Sequence, residues 1–461
     1  MIFEEKTYER LVSELFDRHP SVQSAGFTAG AYKPGLEGMM RFDSALGHPW
    51  QKFRTIHVAG TNGKGSVSSM LAAALAASGL RVGLYTSPHL VDFRERIKII
   101  DFRGQTASSA ILRAPRSSHR CAALAVPPFT EPRVATVLPE EQSDPLYSMI
   151  PKEAVFDFLT GNVIEGLSFF EITTGLAFKW FADQEVDAAV IEVGLGGRLD
   201  STNIIEPELS IVTSIGLDHC AMLGDTRAAI AGEKAGIFKP GVPALVASRD
   251  DETAPVFEEK AASVHCPLFF ADDFKEADEE EIRSLDLQGP CQAMNLRTVL
   301  SALELLGINP DMKAISSAAA ITGFHGRWER ILDNPEAICD IGHNPAALEI
   351  NFGRLKELGR PLVIVYGIMA DKDLDGIAPL MPAGAEYILA APGTERALKV
   401  DALHSRLEVL RPDLRISAAG SVAEAVEKAI GIASGIPGSL IYIGGSTFVV
   451  SEAVTYLNTT L

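Results

Sequence analysis

Residues 55–66 read TIHVAGTNGKGS. An apolar, β-rich run ends at Val58-Ala59, small residues follow, and a helical pattern begins at once. Small residues let backbone N–H groups approach an anion, and a helix N-terminus adds a positive dipole end. Lys64 would bring a point charge to the β- and γ-phosphates of a nucleotide. Ser66 stands at the helix start, placed for a phosphate oxygen or a metal. The spacing departs from the common P-loop, a Gly, four residues, then Gly-Lys-Ser/Thr. Val58 stands where the first Gly belongs, and Gly65 separates Lys64 from Ser66. A glycine turn without a ligand is the plainer alternative, but strand, turn, lysine and helix together favour a phosphate site.

Acids and a histidine recur behind other apolar runs. Glu192 closes AAVIE, GLGGRLDSTN offers Arg198, Asp200 and Asn203, and SIVTSIGLDH ends on Asp218 and His219. Open α/β sheets bind ligands at the carboxyl ends of their strands. Carboxylate and imidazole groups there suit a divalent cation, and Mg²⁺ is usual beside ATP phosphates. Any one of these residues alone reads better as a cap or an ion-pair partner; their recurrence favours a metal–nucleotide site. Further on, CDIGHNPAAL sets Asp340, His343 and Asn344 before a helix opened by Pro345. GRWER sets Arg327 at a junction from which it can reach a nucleotide held elsewhere. A capped turn and a solvated basic loop are the alternatives for these two segments.

The elements that must carry these residues alternate. Strand candidates are TIHVAG, RVGLYTS, DAAVIEVG, LSIVTSIG and PALVAS, then AICDIGHN, PLVIVYGI, AEYILAAP and SLIYIGG. Short β-rich runs separated by helices predict α/β layers with parallel sheets. Val67, Met70, Leu71, Ala74 and Leu75 fall at helical spacing, which predicts one buried face, with Gly79 as a C-terminal stop. Gly323 and Gly326 interrupt the pattern before a fresh α/β series. The expected domains are therefore 1–322, an N-terminal P-loop ATPase domain with a mostly parallel sheet, and 323–461, a smaller C-terminal Rossmann-like α/β domain. Residues 103–149 show no sustained period and are expected to be a surface insertion dispensable for stability.

A chain of 461 residues is too long for one ordinary core. A formal net charge of −19 argues against nucleic acid as a partner, although lysines, metals and helix N-termini can outweigh it within a cleft. The five cysteines, Cys121, Cys220, Cys266, Cys291 and Cys339, form no C-x-x-C pair, which fits a reduced cytoplasm. The N-terminus lacks a signal peptide's apolar centre, and no run reaches membrane-spanning length. A cytoplasmic, monomeric enzyme with no membrane partner is the expectation.

HVAGTNGKGSVSSML, TSPHLVDFRERI, FFEITTGLAF, VIEVGLGGRLDSTN, TSIGLDH, EKAGIFKPGVP, GRWERI, DIGHNPAAL and GGSTFVVSEA occur in this order. Together they resemble folylpolyglutamate synthase/dihydrofolate synthase, of the Mur ligase superfamily. The resemblance runs from GAYKPGLE, residues 30–37, to the C-terminus, apart from 103–149. The variant phosphate loop is that superfamily's own form. The resemblance implies an ATP-dependent amide ligase whose pteroate or folate carboxylate becomes an acyl phosphate that the amine of L-glutamate then attacks. The acceptor would be dihydropteroate, tetrahydrofolates or both.

Carried over by motif, Gly63, Lys64, Gly65 and Ser66 hold phosphates. Ser87 and Glu192 resemble ligands of one Mg²⁺, and His219 of a second. Lys234, in GEKAGIFKPG an ordinary surface lysine by itself, resembles a lysine carbamylated in the superfamily. Lys64, Lys234 and His219 are thus the catalytic candidates. Asn295, Arg327 and Asp340 resemble ATP contacts, with His343 close by. Ser87, Pro88 and His89, Phe169, Phe170 and Glu171, and Arg198, Leu199 and Asp200 resemble the pterin-side pocket, although Phe169 and Phe170 also read as core. Cys291 stands where the family pattern has an aromatic residue. The 103–149 segment begins just after the loop expected to cover the folate site. The competing functions are a Mur-type ligase acting on a cell-wall precursor and a catalytically inactive nucleotide-binding regulator. SPHLVDFRERI and GAYKPGLE favour the folate branch, and Lys64, Glu192, His219 and Lys234 together argue against lost chemistry.

Overall fold

The computed structural model describes residues 3–19, 35–103, 146–289 and 291–460. Residues 104–145, most of the expected insertion, lie outside the described residues, as do Cys121 and the first part of GAYKPGLE. Strands β1 (Arg54–Ala59), β2 (Val82–Tyr85), β3 (Ile97–Ile100), β4 (Tyr147–Met149), β5 (Ala188–Glu192), β6 (Leu209–Val212), β7 (Ala244–Val246) and β8 (Leu268–Phe270) form one sheet, ordered β4-β3-β2-β5-β1-β6-β7-β8. Strands β9 (Glu329–Asp333), β10 (Glu336–Asp340), β11 (Leu362–Tyr366), β12 (Glu386–Leu389), β13 (Arg415–Ala418) and β14 (Leu440–Gly444) form a second, ordered β13-β12-β11-β14-β10-β9. Pairing is parallel except at β3, β4 and β9.

The central strands are buried along nearly their whole length, as expected of parallel strands covered by helices on both faces. Strand β1 lies between β5 and β6, with Val58 opposite Glu192 and Ala59 opposite Val212. The phosphate loop, Glu192 and the segment leading to His219 therefore leave the sheet side by side. Among the described residues no helix is long and apolar enough to cross a membrane.

The Lys64–Ala77 helix is buried on all sides from Gly65 to Ala77, not on one face alone. One side lies on the sheet, and helices Gln292–Leu305, Met312–Ser316 and Ala318–Thr322 cover the other. Its alanines and serines read as a polar or neutral face only until those helices are placed. Gly79 ends it with φ +88°, a backbone conformation that glycine adopts without a Cβ penalty.

The insertion expected over 103–149 is too wide at both ends. Tyr147–Met149 pair with β3, Ile100 opposite Tyr147 and Lys98 opposite Met149. Arg103 bonds Asp101 at 2.9 Å and Asp187 at 3.3 Å. A three-residue strand is too short to display a period. Replacing 104–145 alone by a short Gly/Ser turn is expected to leave the melting temperature near that of the parent. Extending the replacement to 103–149 removes β4 and is expected to lower it by a few degrees, as the loss of about 1 kcal/mol or more would. Thermal unfolding of both chains checks this; equal melting would show that β4 contributes nothing.

Candidate active site

A cavity of about 490 Å³ opens where the carboxyl ends of strands from both sheets face each other. The phosphate loop forms its floor. Lys64 Nζ donates to the carbonyls of Gly60 at 3.0 Å and Thr61 at 3.2 Å, which holds the ammonium over the loop. Gly63 has φ +88°, and a Cβ there would stand 2.5 Å from Asn295 Oδ1. Gly65 answers to a different demand: a Cβ there would stand 2.5 Å from the Phe324 ring. The extra glycine of the variant loop makes room for an aromatic residue from the junction between the sheets. Gly65→Ala is expected to weaken ATP binding roughly tenfold, because relieving an overpacked contact typically costs ~1–3 kcal/mol. Phe324→Leu in the same chain should restore part of it. A KM for ATP unchanged by Gly65→Ala would show that the ring moves aside freely.

Glu192 is 2% exposed, and its Oε2 accepts the Ser87 N–H at 2.9 Å. Burial raises its pKa, opposed by Lys64 and the Ser87 N–H. Burial lowers the His219 imidazole to about 4, against the pull of Asp218, which leaves the neutral form that binds metals. Among the described residues no three His, Cys, Asp or Glu side chains cluster as a metal site. Mg²⁺ keeps several waters, takes phosphate oxygens and needs only one or two protein carboxylates. Glu192 and the Ser87 hydroxyl suit it on those terms; His219 alone does not.

Lys234 is not the surface lysine its local stretch suggests. It is 4% exposed, and its Nζ donates to Gly60 O at 2.8 Å. Burial, and then the Lys64 charge, push its pKa down from 10.5 to about 7. Both lysines thus share one carbonyl of the phosphate loop.

The second sheet closes the cavity. Lys372 Nζ donates to Asp218 Oδ1 at 3.0 Å. Asn344 donates to Asp218 Oδ2 and to Asn62 Oδ1, each at 3.2 Å. His343 Nε2 lies 3.7 Å from Asp218 Oδ2. Burial pushes the Asp218 carboxyl up, but His343, His219 and Lys372 outweigh it and hold the group well below the usual carboxylate range. Asp340 lines the cavity while accepting N–H groups from Gly342 and Trp328 and the Asn351 amide at 2.7–2.9 Å, so it shapes the turn before His343. Asn295 donates to Gln292 Oε1 at 2.9 Å. The Arg327 guanidinium sits 5.5 Å from the Phe324 ring centroid.

Ser66, Pro88, Phe170 and Asp200 also line the cavity. Asp200 is engaged by the Leu195 and Thr202 N–H groups at 2.8 and 3.0 Å and so sets its own loop. Other residues carried over by motif do not line it. Gly65 faces Phe324. His89 accepts from Arg96 Nε at 2.8 Å and packs beside Phe16 and Phe93; burial lowers its pKa to about 3. Glu171 caps its own helix, its Oε2 accepting the Ser168 N–H at 2.7 Å. Arg198 pairs with Glu233 at 2.9 Å and is half-exposed. Conversely, the cavity recruits Asn62, Arg96, Lys372 and Arg396. Arg96 lies 5.2 Å from the Phe169 ring centroid. The only sequence signal for Lys372 is its place after a β-rich run.

Two α/β units meeting over a phosphate loop fit the architecture of an ATP-dependent amide-forming ligase of the Mur type. Residues 167–305 match the Mur ligase middle domain, and residues 326–447 match the Mur ligase, glutamate ligase domain. The folylpolyglutamate synthase of Lacticaseibacillus casei is 33% identical over 392 residues, covering 78% of this chain and 82% of that protein. A Mycobacterium tuberculosis folylpolyglutamate synthase complexed with ADP superposes with TM-score 0.77, at 26% identity and 98% of both chains. Escherichia coli FolC in complex with DHPP and ADP gives 0.75, at 25% identity and 98% of both chains. The chain belongs to the folylpolyglutamate synthase/dihydrofolate synthase family.

Proposed function

We propose that this enzyme joins L-glutamate to dihydropteroate, to tetrahydrofolates or to both, through an acyl phosphate, in the cavity between its two sheets. The observation that carries the reading is the meeting of Lys64, Glu192 and Lys234 from one sheet with Asp340, His343 and Lys372 from the other. The acceptor carboxylate attacks the γ-phosphorus of ATP, ADP leaves, and the carboxyl carbon becomes electrophilic. The glutamate amine then attacks that carbon, phosphate departs, and the amine loses a proton. Anions converge in the first step, so positioned cations lower its barrier. Lys64 serves this purpose, with Gly63, Gly65 and Ser66 shaping the phosphate cradle. Asn295, Arg327 and Asp340 form the nucleotide side, with His343 beside it.

Two Mg²⁺ ions when bound would neutralise phosphate charge. Ser87 and Glu192 would hold one, His219 and a carbamate on Lys234 the other. The carbamate forms when the neutral amine adds to CO₂ and releases a proton, and a pKa near 7 makes that amine available. Phe170, Pro88 and Asp200 line the acceptor side. We further propose that the chain divides at residues 322/323, acts as a monomer and works in the cytoplasm. The test is phosphate release from ATP with each substrate omitted in turn, using dihydropteroate and tetrahydrofolate as separate acceptors. Release that requires glutamate and one of these acceptors is expected. Release with neither would overturn the reading.

A further inference from the structure

Buried lysines are rare because an ammonium must replace the water it loses. Lys234 accounts for itself by facing the cavity. Lys98 is 3% exposed and does not line it. Its Nζ donates to the carbonyls of Thr322 at 2.8 Å and Gly323 at 2.6 Å and stands 5.1 Å from the Tyr147 ring centroid. Those carbonyls end the Ala318–Thr322 helix, where the chain leaves the first sheet for the second. Gly323 has φ +57°, and a Cβ there would collide with the Tyr147 ring. The antiparallel edge pair β3–β4 thus grips the junction with a charge from one strand and a ring from the other. The next residue, Phe324, packs on Gly65 of the phosphate loop, and Arg327 lies over Phe324 and lines the cavity.

We propose that Lys98 is a positioning residue: by holding residues 322–323 it fixes the Phe324 ring on which Arg327 lies, and so aims Arg327 at the nucleotide. This ties nucleotide binding to the antiparallel edge pair β3–β4. The inference rests on the nucleotide role given to Arg327 above, and the test separates the two. KM for ATP and for the acceptor are measured in the parent, Lys98→Met, Lys98→Arg, Arg327→Met and the Lys98→Met/Arg327→Met double variant. Lys98→Met is expected to raise KM for ATP about tenfold with the acceptor KM within about twofold, and to add nothing on the Arg327→Met background, as residues acting through one another do. Lys98→Arg keeps donors for both carbonyls and should recover most of the loss.

An unchanged KM for ATP in Lys98→Met overturns the inference. So does the same rise on both backgrounds, which would mean that Lys98 does not act through Arg327. A KM for ATP unchanged by Arg327→Met alone removes the role of Arg327, and the inference falls with it. If Lys98→Met does not fold, Tyr147→Leu, at a half-buried position on the edge strand β4, takes its place. It should raise KM for ATP about two- to threefold under the same double-variant criterion, and no change would be decisive against the proposal.

Discussion

Lys64→Ala is expected to fold, bind its acceptor and ligate glutamate at least about a hundredfold more slowly than the parent, since one positioned charge on a transferring phosphate is typically worth a few kcal/mol. The helix behind Lys64 is buried from Gly65 onward, whereas Lys64 itself is only partly buried and bonded to two loop carbonyls. Truncating it therefore removes a charge from the cavity and leaves the core intact. Phosphate release measured alongside thermal unfolding checks both halves of the expectation. Near-normal turnover by a folded Lys64→Ala chain would refute the phosphate role.

Lys234→Ala is expected to be inactive at neutral pH, and millimolar formate or acetate should partly restore turnover. The lysine is buried beside a second lysine on the shared carbonyl of Gly60. Two ammonium groups so placed repel, and burial adds to the cost of charging Lys234. Carbamylation removes the positive charge and creates an anionic oxygen ligand, which Mg²⁺ prefers over a neutral imidazole such as that of His219. A small carboxylate diffusing into the space left by Lys234→Ala can supply the same oxygen. A purely structural lysine would not respond to formate. Carbon-13 NMR of the parent with labelled bicarbonate should show the carbamate signal, and its absence together with failed rescue would sink the idea.

The sequence by itself determined the strands that carry the chemistry. The runs ending at Ala59, Glu192, Val212 and Asp340 are mostly apolar, as strands buried on both faces require. It also determined the phosphate loop, because small residues, a lysine and a helix start are adjacent in the chain. Strands β3, β4, β8, β9 and β13 were not legible, being set at or near sheet edges, where burial on both faces no longer demands an apolar run. The roles within the site divide by the same logic. Glu171 resembles a pocket acid by motif although Ser168 and Glu171 form a local capping box, and Lys234 reads as a surface lysine until packing buries it. Tertiary structure alone decided that Lys372 reaches Asp218 across 154 positions, that Lys98 reaches Thr322 across 224, and that Phe324 requires glycine at position 65. Propensity and periodicity are properties of neighbouring residues. A charge or a ring acting on a segment hundreds of positions away leaves no periodic trace, because only the packed sheets bring the two together.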